Sequence, residues 1–296
     1  MSDAVSTRYP LLLVPGLLGF VRLLGYPYWY GIESRLRALG VLVVAVRVSP
    51  LHTNEVRGEQ LLACIEAVLK ETGAARVNLV GHSQGALTAR YAAALRPDLV
   101  ASVTSVSGPN HGSELADFCL RKTPPGSWRE ALFVFAMTSA ARWIGWLETG
   151  TRGPALPRDA RACAVSLSCE GMRGFNARYP QGVPEVWGGE GAEVVNGVRY
   201  YSWSGTLQPG KTARGGNWLD GSNLVCRLLA RTFIREAGQT DGMVGRCSSH
   251  LGRVIGDQYP LDHFDSVNQM FGLVGAGARP VELFVEHARR LGEAGL

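Results

Sequence analysis

The sequence predicts an α/β protein, with a mostly parallel central sheet covered by helices on both faces. Three observations carry this. The first hundred residues alternate short apolar runs with longer segments of helical period. The apolar runs are continuous rather than alternating, as strands buried on both faces are. Hydrophobic residues make up 46% of 296, enough to supply a core on each side of such a sheet.

Leu11–Val14 reads as the first buried strand and Val41–Val46, rich in β-branched residues, as the second. Glu55–Glu71 reads as a helix, because Leu61, Leu62, Ile65, Val68 and Leu69 fall on one stripe and Gly73 ends it. Val77–Val80 is a third strand running straight into Gly81. Gln84–Arg96 is helical, with Pro97 behind it, and Leu99–Val106 is a fourth strand. From Pro109 to Pro184 strand signals fade, and helical segments punctuated by Gly and Pro take over. Val198–Trp203 returns as a strand, and helices are expected at Asp265–Leu273 and Val281–Leu291. With no internal repeat and no low-complexity linker, the simplest account is one domain over 1–296 carrying a helical insertion at 109–184.

Charged residues are only 19%, the net charge is +5, and no basic run exceeds two residues, so there is no nucleic-acid footprint. Met1–Pro10 is polar and the apolar run after it is short, which is not a Sec leader. That reading leaves secretion by a route without such a leader, or the cytoplasm. No stretch is long and apolar enough to span a bilayer; the nearest, Ala131–Leu147, contains Arg142. The six cysteines show neither C-x-x-C pairing nor metal spacing, and Cys64 reads as a buried free thiol on a helix face.

Gly81-His-Ser-Gln-Gly85 matches G-x-S-x-G, and its context makes it informative: a strand ends at Val80 and a helix begins at Gln84. A tight strand-to-helix turn pushes the Ser83 hydroxyl out of the sheet, and the helix N-terminus offers N–H groups to a developing negative charge. These are the marks of a serine nucleophile in an α/β-hydrolase fold. Gln84 N–H is one expected oxyanion donor and Leu17 N–H, in Val14-Pro-Gly-Leu-Leu-Gly19, the other. A serine hydroxyl needs a general base, and the base an orienting carboxylate, in the chain order Ser, Asp or Glu, His. His82 adjoins the nucleophile, but neighbouring side chains in the turn point apart. His111 comes too early, and His287 reads as a surface residue of the last helix. Asp241 is a candidate acid on a loop. The residues alone leave His250 and His263 open as the base.

The chain resembles the bacterial triacylglycerol lipases of lipase family I, the Pseudomonas and Proteus group, nearly end to end. The resemblance rests on Asn54-Glu-Val-Arg-Gly-Glu-Gln60, Val77-Asn-Leu-Val-Gly-His-Ser-Gln-Gly85, Ala101-Ser-Val-Thr-Ser-Val106, Val195-Asn-Gly-Val198, Tyr200-Tyr-Ser-Trp-Ser-Gly205, Asp241-Gly-Met-Val-Gly245 and His263-Phe-Asp-Ser-Val-Asn-Gln269. It implies a triad of Ser83, Asp241 and His263, with His250 a bystander. It also implies one structural Ca²⁺ held by the Asp220 and Asp265 carboxylates and the Gln269 and Leu273 carbonyls, a donor set that suits a hard cation. Two positions depart from the family pattern. Pro15 stands where its oxyanion loop usually has His, and Gly188 stands where the bridged members have the partner of Cys247. In the second respect the chain is similar to the Proteus branch.

Within the insertion, Ser127–Gly150 holds Trp128, Leu132, Phe133, Phe135, Met137, Trp143, Ile144, Trp146 and Leu147. Apolar residues wrap more of this segment than one core stripe needs, as in a lid that meets lipid when open. The resemblance places a lid here too. The expected activity is therefore hydrolysis of water-insoluble acylglycerols at an oil–water interface, without an organic cofactor. The rivals are an esterase of soluble short-chain esters, against which the aromatic segment argues, and a non-catalytic hydrolase-fold binding protein, which would be expected to have lost a triad member.

Overall fold

The computed structural model describes residues 5–148 and 155–296. In chain order the elements are β1 (Leu11–Val14), a small hairpin β2 (Arg22–Leu23) and β3 (Tyr26–Pro27), α1 (Ile32–Ala38), β4 (Val43–Ala45), α2 (Asn54–Thr72), β5 (Val77–His82), α3 (Gln84–Leu95) and β6 (Val100–Val106). Four helices follow: α4 (Glu114–Lys122), α5 (Trp128–Leu147), α6 (Ala160–Leu167) and α7 (Cys169–Arg178). Then come β7 (Val194–Val195), β8 (Val198–Gly205), α8 (Gly221–Leu229), β9 (Arg253–Tyr259), the short α9 (Gln269–Gly272) and α10 (Pro280–Glu293).

The main sheet runs β4-β1-β5-β6-β8, with all of these neighbours parallel; β7 joins β8 antiparallel and β9 joins it parallel. Alternate residues of one strand feed two cores, which is why β1 is apolar throughout. Leu11 and Leu13 pack with Ile32 and Leu36 of α1 and with Phe284, Ala288 and Leu291 of α10. Leu12 and Val14 pack with Leu61 and Ile65 of α2 and with Ala89 and Ala92 of α3. Between β1 and β5 the strand order reverses, so a crevice opens at their carboxyl ends, the usual ligand position in an open α/β sheet. The loop after β1 and the turn after β5 meet there.

Expectations for the strands, for Asp265–Leu273 and for the burial of Cys64 are corrected. β9 and the β2–β3 hairpin carry no continuous apolar run and escaped the pattern. Asp265–Leu273 is no continuous helix: a 3-10 turn at Asp265–Val267 precedes a kinked turn in which Asn268, Met270 and Phe271 all take positive φ. Cys64 is half-buried, its thiol directed at the Arg47 carbonyl, and the six cysteines are all free. Among the described residues no helix is long and apolar enough to cross a membrane.

His287 is not a surface residue. It is buried against the face of β6 and β8, hydrogen-bonded to Thr104 Oγ1 at 2.7 Å and edge-on to Tyr201 and Trp203. Burial, aided by the Arg290 guanidinium, pushes its pKa down to about 3. His111 is likewise pushed down to about 4, chiefly by burial. Folded values below the unfolded value near 6.5 mean that, as pH falls, the unfolded chain binds protons the folded chain refuses. Stability is therefore expected to drop below pH 6.5, by up to about 1.4 kcal/mol per pH unit for each such histidine. Urea midpoints measured from pH 7 to pH 4 check this, and His287→Gln should flatten the decline. An unchanged slope would remove His287 from the account.

Candidate active site

Ser83 follows the last residue of β5 and caps α3 with φ 54° and ψ −127°, a conformation non-glycine residues rarely hold. Close packing imposes it. A Cβ on Gly81 would lie 2.3 Å from the Gly85 carbonyl carbon, and one on Gly85 would lie 2.1 Å from the Val14 carbonyl oxygen. Only glycine on both sides lets β5, α3 and the end of β1 approach so closely. Ser83 N–H donates to the Val106 carbonyl of β6 at 2.9 Å, which fixes the turn to the neighbouring strand.

Asp241 and His263 arrive from the far end of the sheet, on the loops after β8 and β9. Asp241 is buried. Its Oδ1 accepts from Met243 N–H at 2.9 Å and Val244 N–H at 2.8 Å, and its Oδ2 lies 2.8 Å from His263 Nδ1. The Asp241 carbonyl also accepts from His263 N–H at 3.0 Å, so main chain and ring are set by the same residue. His263 and Ser83 line one cavity of about 480 Å³. His250 stands elsewhere, with Nδ1 3.0 Å from the Gly189 carbonyl and Nε2 3.0 Å from Asp257 Oδ2, and it does not line that cavity.

Leu17 also lines the cavity, and neither its N–H nor that of Gln84 finds an acceptor among the described residues. The Gln84 side chain is turned away, donating to the His52 carbonyl at 2.8 Å and to Asn54 Oδ1 at 3.2 Å. Arg57 is buried in the same region, donating from Nη2 to the Pro15 carbonyl at 2.5 Å and from Nε to Thr88 Oγ1 at 3.0 Å. Burial pushes its pKa down to about 10. Sequence reasoning quoted the Arg57 motif without giving it this task.

The rest of the cavity is largely apolar, with Ser113 and Gln269 also on its wall. Leu18, Leu51 and Leu167 form part of its wall, and Phe133 and Met137 of α5 close over it. The opposite side of α5 is exposed: Trp128 is 71%, Phe135 71% and Trp146 75% accessible. Of the segment singled out as a lid, residues 149–150 lie outside the described residues.

Asp220, Asp262 and Asp265 are all buried, with carboxylate oxygens within 4.8 Å of one another. Asp262 has acceptable company: Phe264 and Asp265 N–H groups on Oδ1, and Asn223 Nδ2 on Oδ2 at 2.8 Å. Asp265 Oδ2 takes Asn217 Nδ2 at 2.7 Å, but Asp265 Oδ1 is buried with no partner. Burial, and then the Asp262 charge, pushes the Asp265 pKa well up. A buried acid cluster with an orphan oxygen and no basic residue among these partners fits a hard cation. Sequence reasoning missed Asp262, although an acid directly before His263 was visible.

Gly188 faces Cys247. A Cβ placed on it would lie 3.8 Å from Cys247 Cβ, a separation a disulfide spans, so only the second sulfur is missing.

A family model described as the alpha/beta hydrolase fold matches residues 9–245. The chain is 48% identical over the full length of both sequences to a triacylglycerol lipase of Pseudomonas fragi. It is 44% identical to one of Vibrio cholerae, covering 98% of this chain and 90% of that protein. Among solved structures, a Staphylococcus hyicus lipase aligns over 98% of this chain and 97% of its own, with TM-score 0.63 and 18% identity, a likeness of fold. A strained serine at the sheet's switch point, an Asp–His pair over the same apolar cavity and full-length identity to such relatives lead to one assignment: the chain belongs to the bacterial triacylglycerol lipases of the α/β-hydrolase fold.

Proposed function

We propose that this chain hydrolyses the carboxylic esters of water-insoluble acylglycerols through an acyl-enzyme on Ser83. The observation that carries the reading is the buried 2.8 Å contact between Asp241 Oδ2 and His263 Nδ1, beside the cavity that also holds the strained Ser83. Ser83 Oγ attacks the ester carbonyl while His263 Nε2 takes its proton. Asp241 keeps Nδ1 protonated and stabilises the imidazolium. The negative charge that develops on the carbonyl oxygen falls to the Leu17 and Gln84 N–H groups, which find no other acceptor among the described residues. His263 then gives the proton to the departing alcohol. Water repeats the sequence on the acyl-enzyme.

The same reading includes one Ca²⁺ held by Asp220 and Asp265 with the Gln269 and Leu273 carbonyls, Asp262 adding charge nearby. The ion supplies charge neutralisation and a crosslink. Asp220 caps α8, and Asp265 sits two residues past His263, so the held residues support the loop that carries the base.

Helix α5 is the reason to favour lipid over soluble esters. Its inner face closes the cavity while its outer face shows indoles to solvent, an arrangement suited to lying on an oil surface. Trp143→Gln/Trp146→Gln is expected to impair hydrolysis of an emulsified long-chain triglyceride at least about tenfold more than hydrolysis of a dissolved short-chain ester, one decade being about 1.4 kcal/mol of interfacial contact. Both substrates use one triad, so equal losses on both would reduce α5 to a structural helix. Failure of the unmodified protein to act on the emulsion would favour the soluble esterase.

A further inference from the structure

His82 precedes the nucleophile and is not the base, yet its ring is buried at the centre of the site with both nitrogens engaged. We infer that His82 and Tyr28 are a pair of positioning residues that tie the oxyanion loop, the nucleophile turn and the base-bearing loop into one unit, an inference that rests on the roles proposed for Ser83, His263 and Leu17.

Proton positions follow from the partners. His82 Nε2 lies 3.1 Å from the His263 carbonyl, which can only accept, so Nε2 carries the hydrogen. Burial and the adjacent His263 hold the His82 pKa well below its ordinary value, so the ring is neutral and Nδ1 is an acceptor. The Tyr28 hydroxyl, 2.7 Å from Nδ1, must donate to it. That leaves the hydroxyl oxygen as the acceptor for Gly16 N–H at 3.1 Å. Every donor meets an acceptor along the line from Gly16 through Tyr28 and His82 to His263.

The consequence is greatest at Leu17. The Pro15–Gly16 peptide is gripped on both edges, its carbonyl by Arg57 and its N–H by Tyr28. The Leu17–Leu18 peptide is held by Leu18 N–H donating to the Pro50 carbonyl at 2.9 Å. Between these two fixed planes lies the Gly16–Leu17 peptide. Its carbonyl accepts from Gly19 N–H at 3.2 Å, and its N–H is the free one. Pro15, with no N–H of its own, can offer nothing further, so Tyr28 is what aligns this loop from the His82 side. At the other end His263 is fixed by three bonds: ring to Asp241, N–H to Asp241, carbonyl to His82. Covalent attachment of His82 to Ser83 completes the frame.

The test uses Tyr28→Phe, His82→Leu, their combination and His82→Gln, whose amide offers a donor and an acceptor spaced much as the two ring nitrogens are. Active sites are counted by a phosphonate ester that labels Ser83. The readouts are kcat per labelled site and KM on a soluble short-chain ester, inhibition by an arylboronic acid that forms a tetrahedral adduct, and Tm. Tyr28→Phe and His82→Leu are each expected to lower kcat per labelled site about 10- to 100-fold, less than outright loss of an oxyanion donor. KM should stay within about threefold, and boronic acid binding should weaken in step with kcat. The double variant should be no worse than the poorer single, and His82→Gln should recover most of the loss. A purely structural role would lower Tm and the labelled fraction while kcat per labelled site held, which overturns the proposal. So would losses that multiply in the double variant, or a loss confined to Tyr28→Phe. If Ser83 of the unmodified protein takes no label, the site assignment itself fails and the inference falls with it.

Discussion

Replacing Ser83 or His263 with alanine is expected to lower ester turnover by about 10³-fold or more, while His250→Ala changes kcat by no more than about threefold. The asymmetry follows from where the two histidines stand. His263 faces the Ser83 cavity with its Nδ1 on a buried carboxylate, which leaves its Nε2 for the proton exchange with Ser83 that the proposed mechanism requires. His250 spends both nitrogens on Gly189 and Asp257, and Asp257 keeps the Arg246 guanidinium at 2.6 Å when the imidazole is gone. Turnover per folded molecule, corrected by the Tm of each variant, separates chemistry from stability. Loss with His250→Ala and survival with His263→Ala would reverse the assignment of the base.

What was readable in the residues and what was not divides along physical lines. β1 was visible because a strand buried on both faces is apolar at consecutive positions, and β5 and β6 because Val and Leu recur in short runs set between helical segments, although Asn78 interrupts one and Ser102, Thr104 and Ser105 the other. β9 is only partly buried and runs through Gly256, Asp257 and Gln258, so it left no such run. The His287 error had its remedy in the sequence: Phe284, His287, Ala288 and Leu291 repeat at helical spacing and form one buried stripe. The Asp265–Leu273 turn did not announce itself, since Met270 and Phe271 are residues for which positive φ is uncommon. In the site, the strain at Ser83 was foreseeable from two glycines and a strand-to-helix junction. The choice between His250 and His263 came only from resemblance, because it depends on which loop a distant carboxylate reaches. The Tyr28–His82 connection joins residues 54 apart, and the His82–His263 connection residues 181 apart; no local pattern encodes either.

Calcium removal is expected to lower Tm by about 10 °C, and Asp265→Ala to abolish that sensitivity. The magnitude follows from linkage: an ion held at about a thousand times its Kd stabilises the native state by about 4 kcal/mol, and about 1 kcal/mol moves Tm by some 2–4 °C in a domain approaching this size. The direction follows from the cluster itself. Without a cation, Asp220, Asp262 and Asp265 bring three buried carboxylates together, and Asp265 Oδ1 has nothing to bind. Asp262 is different, because loop N–H groups and Asn223 already satisfy it, so Asp262→Asn should weaken calcium binding without removing it. Asp265→Asn gives the sharper contrast. It removes one of the crowded charges, so the chelated variant should be at least as stable as the chelated parent, while added calcium should no longer raise its Tm. A general loss of packing at position 265 would instead lower Tm with and without calcium alike. If the parent protein melts at the same temperature in millimolar calcium and in excess chelator, the cluster is not a calcium site and must keep at least one of its acids protonated.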